Sequence, residues 1–157
     1  MASFHVPELD TPFVFTARPE PVPSDLRPNW RISVILLILR IASRGSKSSF
    51  GRLHVLNWAI RTQENQETLI KIIGRDISPD TVVVRIEPFL NRAVNLANGE
   101  GLVERVSGDR IQLTSKGISA ADMLRNQEVF IDEQRFLEFI GKALTEQTVD
   151  HLFSRRQ

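Results

Sequence analysis

Residues Asn91 to Met123 read NRAVNLANGEGLVERVSGDRIQLTSKGISAADM, and this stretch decides the fold. At about 100° per residue, Phe89, Leu90, Ala93, Val94, Leu96 and Ala97 share one arc of a helix, while Asn91, Arg92, Asn95 and Asn98 take the opposite arc. Gly99 and Gly101 offer the left-handed conformations that end such a helix and turn the chain. Leu102, Val103 and Val106 then lead into Ser107-Gly108-Asp109, a hairpin turn signal. Ile111 and Leu113 alternate with Gln112 and Thr114, as a half-buried returning strand should. Thr114 or Ser115 can cap the helix that follows. Amphipathic helix, tight two-stranded wing and capped helix, in that order, read as the second half of a winged helix-turn-helix domain.

Upstream, Asp80 to Glu87 (DTVVVRIE) has the β-branched content of a strand, with Val82–Ile86 at its centre, and Pro88 suits the first turn of the next helix. Asn65 to Ile73 predicts an amphipathic helix with Leu69, Ile72 and Ile73 inward, stopped by Gly74. Arg44 to Ser49 reads as a turn in which Ser48 or Ser49 caps a helix through Leu53, Leu56, Ala59 and Ile60. On that helix His54, Asn57 and Arg61 form one polar stripe flanked by Trp58. The stripe suits contact with phosphates, bases or a partner's carboxylates, and equally suits a solvated face. Ile32 to Ser43 predicts a helix without a true polar face, leaving only Ser33 and Arg40 on a narrow strip. Such a helix must be covered on nearly every side, as the centre of its domain or against a partner subunit.

The first 30 residues hold six of the eight prolines, which rules out a long helix or a central strand there, yet they also carry Phe4, Phe13 and Phe15. An extended arm lying along a partner or along its own domain is expected; a frayed terminus is the other reading. A last helix is expected from about Val129 to Phe153, with Phe136, Phe139, Ile140, Ala143 and Leu144 on one side. The predicted architecture is therefore mainly α with a small β wing. It comprises a Pro-rich extended arm over residues 1–30, a winged-helix domain over 31–128 and a C-terminal amphipathic helix over 129–157.

With 157 residues, 41% hydrophobic and 25% charged, the chain can bury one real core but not two comfortable ones. The absence of cysteine excludes a disulfide framework and any thiolate metal site, and fits a reducing cytoplasm. The longest apolar run, Ile32 to Ala42, is about half of the ~20 residues a membrane span needs, and Arg40 interrupts it. The first residues lack the basic start and apolar core of a signal peptide. A cytoplasmic protein without a membrane partner is expected.

Net charge is +1 over the whole chain, but residues 31–75 contain eight Lys or Arg against only Glu64 and Glu67. That half can meet phosphate or an acidic protein surface, or it is simply solvated. Catalytic chemistry is hard to find. His5, His54 and His151 have no metal-like spacing. Gly45-Ser46-Lys47-Ser48 is no phosphate loop, because Arg40 stands where the upstream glycine is required and the preceding element reads as helix. Asp132 and Glu133 are adjacent on a helix and diverge, and no Gly-x-Ser-x-Gly occurs. A non-enzymatic protein without cofactors is expected.

Two classes remain. In a DNA reader, Asn91 and Asn95 would recognise adenine, Arg92 guanine or a phosphate, and Arg110 at the wing a neighbouring phosphate. Glu87, Glu100, Glu104 and Asp109 surround that surface, so its face is rich in asparagine rather than in positive charge. In a protein adaptor, the arm, the apolar first helix and the terminal helix supply partner-packing residues, Phe13, Phe15, Leu37, Ile41, Phe136 and Ile140 among them. Together these apolar surfaces exceed what a monomer of this size needs to bury.

The series ILLILRIASRGSKSSFGRLHVLNWAIR, VVVRIEPFLNRAVNLANGEGLVER, IQLTSKG and FLEFIGKALTEQTVDHLF resembles the small middle components of bacterial three-component ABC systems. Relatives of the Lamassu anti-phage and anti-plasmid systems belong to that group. The resemblance runs from about Trp30 to Phe153, and its strongest points are Leu53-His54-Val55-Leu56-Asn57-Trp58 and Arg85-Ile86-Glu87-Pro88. It implies a winged-helix adaptor that associates with an SMC-like ABC ATPase and an effector, often a nuclease, with double-stranded DNA a further partner inside the complex. The alternative is a homodimeric winged-helix transcription regulator. One departure from the usual winged-helix order is expected. The strand candidate directly precedes the Pro88 helix instead of following the first helix, which leaves the reading helix open.

Overall fold

The structure, a computed structural model, describes residues 27–153. Among these residues the chain forms seven helices and one small antiparallel sheet. The order is α1 (Pro28–Ile41), β1 (Lys47–Ser49), α2 (Phe50–Ile60), α3 (Gln63–Ile73), α4 (Pro88–Gly99), β2 (Val103–Val106), β3 (Arg110–Leu113), α5 (Ser115–Asn126), α6 (Ile131–Ile140) and α7 (Glu146–Phe153).

Helix α1 starts four residues earlier than its apolar run, because Pro28 sits in the first turn, where a missing N–H costs nothing. Val34 to Leu39 are all buried, and α1 packs against α2, α4, α5 and α6. The helix without a polar face is thus the centre of its own domain. Arg40, in its last turn, reaches outward to Asp122 of α5 at 2.9 Å. That hydrogen bond holds the Asp122 carboxyl below the usual carboxylate range.

The third strand is not where its β-branched content places it. Val82–Ile86 is extended but belongs to no ladder, with Val84 buried and Val83 71% exposed. Strand β1, at the Lys47–Ser49 segment read as a turn, pairs instead with β3 through Lys47↔Gln112, Ser48↔Ile111 and Ser49↔Arg110. A run of Val and Ile sets an extended backbone, but a strand needs a free edge to bond to. The free edge of β3 lies beside β1, and the sheet order is β1-β3-β2. Ser49 both ends β1 and caps α2, accepting from the Arg52 N–H at 3.2 Å.

The opening stretch folds largely as its pattern predicts. Leu90, Ala93, Val94 and Ala97 of α4 are buried. Phe89 and Leu96, placed on the same arc by periodicity, are 53% and 50% exposed, so the inward face is narrower than expected. Gly99 remains helical, and only Gly101, at φ +70°, takes the left-handed conformation. There Leu102 N–H donates to the Ala97 carbonyl and Gly101 N–H to that of Asn98, the double bond pattern of a Schellman stop. The β2–β3 hairpin closes over Ser107-Gly108-Asp109, with Val106 opposite Arg110 and Val103 opposite Leu113. Thr114 caps α5, accepting from the Gly117 N–H at 3.1 Å, and its hydroxyl lies 2.5 Å from the Gly101 carbonyl. Thr114→Ala is expected to lose about 1–2 kcal/mol of stability by urea unfolding, since it removes the cap and the tie to the α4 stop together.

The single terminal helix expected from Val129 to Phe153 is two helices. The chain breaks between Gly141 and Thr145, where Arg52 of α2 draws on the carbonyls of Gly141 and Leu144 and Thr145 caps the restart through the Thr148 N–H at 3.2 Å. Both pieces fold onto the domain, burying Phe136, Leu137, Ile140, Leu144, Val149 and Leu152. One hydrophobic cluster runs from α1 to α7.

Candidate functional site

Helix α4 stands between the buried α1 and the β2–β3 hairpin, and its free side is the best-defined surface feature of the fold. Three outward residues, Phe89, Arg92 and Leu96, sit at i, i+3 and i+7, which places them in one stripe along the helix. The guanidinium groups of Arg31 and Arg92 both lie over the Phe89 ring, 5.5 and 5.7 Å from its centroid. Glu87, just before the helix, accepts one hydrogen bond from Arg31, at 3.0 Å, and another from Arg61. The extended segment that leads into α4 adds Val83 and Ile86 to the exposed apolar residues.

Beside this stripe lies a groove of about 580 Å³ between the start of α2, α4 and the β2–β3 hairpin, lined by Phe50, His54, Asn91, Asn95, Arg105 and Phe153 among others. Three of the residues singled out by sequence, His54, Asn91 and Asn95, therefore come together, but not as free readers. His54 is 3% exposed; its Nε2 lies 3.3 Å from Asn91 Oδ1, and its Nδ1 accepts from the Glu87 N–H at 3.5 Å. The His54 ring also stacks obliquely on Phe50, with centroids 5.5 Å apart. Asn95 Oδ1 accepts from Arg105 at 2.8 Å, and that guanidinium lies over the Phe50 ring.

The polar stripe expected on α2 faces solvent only at its end, at Arg61, while His54 and Asn57 are buried. Asn57 is 1% exposed with its Oδ1 unpartnered among the described residues, and Arg61 turns to Glu87. Helix α2 packs against α1, α3 and α7, so its polar arc is covered by elements that helix periodicity does not see. Of the other predicted contact residues, Arg92 is exposed on the α4 stripe and Arg110 is exposed near β1, away from the groove.

The partner-packing residues are corrected in the same way. Leu37, Phe136 and Ile140 are buried in the chain's own core, and Ile41 packs half-buried against it. Phe139, expected on the inner side of the terminal helix, is 72% exposed. Phe13 and Phe15, with the rest of the proposed arm up to residue 26, lie outside the described residues. The apolar excess over a monomer's needs is therefore smaller than composition implies, and it is concentrated on α4, its approach segment, Met123 and α6. The basic half is thinned as well. Arg31 and Arg61 bind Glu87, Arg40 binds Asp122, and Arg52 is buried.

No protein-family model, curated protein or solved structure matches this chain.

Among the described residues no three His, Asp or Glu side chains gather as a metal-holding group, and no helix is long and apolar enough to cross a membrane. Sequence reasoning missed Glu87 as the acceptor for two arginines and Phe89 as an exposed residue. Glu87 carried no local signal, because its partners lie 56 and 26 residues away.

Proposed function

We propose that this chain is a winged-helix adaptor, the non-catalytic middle subunit of a bacterial three-component ABC defence assembly, joining an SMC-like ABC ATPase to its effector. The sequence resemblance supplies the assembly. The order of elements supports the winged-helix assignment, because a short strand follows α1 and a hairpin follows α4, with the sheet order β1-β3-β2. With β1 after α1 the first strand stands in the usual place, although three helices, α2, α3 and α4, rather than two then precede the hairpin, and in this reading α4, the last of them, is the helix in the reading position.

The observation that carries the adaptor role is what α4 presents there. A helix that reads a major groove needs free hydrogen-bonding side chains and a surplus of cations for phosphates. Here Asn91 and Asn95 are already bonded to His54 and Arg105, and the free stripe is Phe89, Arg92 and Leu96. Exposed apolar and arginine anchors spaced along one helical face are the means by which a helix docks on another protein. The apolar approach through Val83 and Ile86 widens the same face.

Co-expression with the neighbouring genes and capture on a tag carried by this chain tests the role. The ATPase is expected to co-elute with wild type. The double variant Phe89→Ala, Leu96→Ala is expected to bind it at least ~30-fold more weakly, the loss of about one interface hot spot. Both residues are half-exposed, so the variant should unfold at nearly the wild-type urea midpoint. Absence of a co-eluting ATPase, or an undiminished complex with the double variant, would reject the adaptor. Protection of a defined operator by the isolated chain at physiological salt would favour the regulator instead.

A further inference from the structure

A second concavity lies at the edge of the sheet, distinct from the α4 groove. It has a volume of about 640 Å³ and gathers Arg44 before β1, Lys47 on β1, Arg110 on β3 and Lys142 between α6 and α7. All four cations are exposed, and none is ion-paired to a described carboxylate. The concavity also includes Arg52 and Glu146. These two offset each other. Glu146 is tied to Ser49 Oγ at 2.7 Å, and its charge acts directly on the Arg52 guanidinium, raising a pKa that burial lowers. Four positive charges without a carboxylate partner among the described residues therefore converge from three segments, residues 44–47, Arg110 and Lys142, that are far apart in the sequence.

From this juxtaposition we infer that the cleft beside β1 is a phosphate-binding site, and that it takes the sugar-phosphate backbone of duplex nucleic acid. The lining decides among anionic ligands. A protein partner would need apolar anchors beside the charges, and a free nucleotide would need a wall for its base to stack on. The only large hydrophobic residue in the lining is Leu144, which is 2% exposed. A phosphodiester backbone needs neither. It is held by cations that follow successive phosphates, with serine hydroxyls and backbone N–H groups as secondary donors. Ser48 and Ser49 lie in the same wall, but their hydroxyls already donate to the Ser49 carbonyl and to Glu146, so the four cations carry the binding. Duplex contact would then be made without base reading, by residues separate from the docking stripe on α4.

The test is fluorescence anisotropy of the full chain with a labelled duplex of arbitrary sequence, titrated at several salt concentrations. Four phosphate contacts predict a slope of log K against log salt near −3.6, a loss of about 150-fold between 50 and 200 mM. Lys47→Glu with Arg110→Glu is expected to weaken binding at least ~10-fold at 50 mM salt and to halve the slope. Lys71→Glu with Arg135→Glu, exposed cations elsewhere that change net charge equally, should shift binding less than about threefold. Equal losses in the two double variants would mean general attraction and overturn the site, as would the failure of wild type to bind the duplex at 50 mM salt. Saturation by inorganic phosphate or ATP, measured by calorimetry, with the duplex left unbound would overturn the backbone assignment. The complex with the ATPase should survive Lys47→Glu, Arg110→Glu, so failure of the cleft and failure of the adaptor role are read separately.

Discussion

Gly117→Ala is expected to destabilise the fold by about 3 kcal/mol, although alanine in the interior of a helix normally stabilises by about 1 kcal/mol. Gly117 lies in the first turn of α5, and a Cβ built there meets the Leu102 carbonyl oxygen at 1.9 Å and its carbon at 2.9 Å. No flexible side chain can give way, because the obstacle is backbone. That carbonyl is itself fixed, accepting from the Thr114 N–H at 3.1 Å and lying 3.2 Å from the Thr114 hydroxyl. Relief would have to come from lifting α5 off the start of the wing, which would disturb the α1–α5 contact at the centre of the domain. Urea unfolding of wild type and variant, with the m-value checked for constancy, measures the change. A variant as stable as wild type, or more so, would show that the helix and hairpin do not approach this closely.

The second large effect is expected at Arg52. Its guanidinium is buried and donates to the Leu144 carbonyl at 3.0 Å, to Ser43 Oγ at 3.0 Å, to the Gly141 carbonyl at 3.4 Å and to the Ala42 carbonyl. One side chain thus satisfies carbonyls at the end of α1 and in the break between α6 and α7. Arg52→Met keeps most of the volume but removes every donor, so several carbonyls lose their partner; a loss of about 3–5 kcal/mol follows. Arg52→Lys should recover less than half, since a point ammonium cannot span acceptors on both sides as a planar fork does. Hydrogen exchange should report the same change locally, with amides of residues 141–153 exchanging faster in Arg52→Met than those of α4. If Arg52→Met unfolds within 1 kcal/mol of wild type, the guanidinium is not what pins α7 to the domain.

These two positions mark where sequence reading reached and where it stopped. Gly117 belongs to the Leu113-Thr114-Ser115-Lys116-Gly117 signal that predicted the start of a capped helix. The cap was legible because Thr114 and the N–H groups it serves are three residues apart. Helix α4 was legible from its period, the hairpin from Ser107-Gly108-Asp109, and α3 from its inward Leu69 and Ile72. Arg52, by contrast, looked like one more cation in a basic half, because the groups it bonds are as far as 92 residues away. The break in the terminal helix left one local signal, Gly141, which ends α6 at φ +51°, but apolar residues continue at helical spacing on both sides of it and the Arg52 bonds that hold the break come from a distant segment.

For the candidate site the division falls along the same line. Periodicity located the helix that carries Asn91, Arg92 and Asn95, and charge counting located the basic segment that supplies Arg44 and Lys47 to the cleft. Neither could tell which of those side chains remained free. His54 and Asn57 look exposed on a helical wheel and are buried, while Phe89 looks buried and is exposed, because exposure depends on what the remaining elements cover. Local signals, carried by side chains and N–H groups within a few turns of one another, were sufficient for α4, the wing hairpin and the capped start of α5. The position of β1, the burial of the α2 stripe and the path of the terminal helices were decided only by packing in three dimensions. Their free energy comes from a sheet edge, a helix face and a guanidinium that the chain brings together from distant segments.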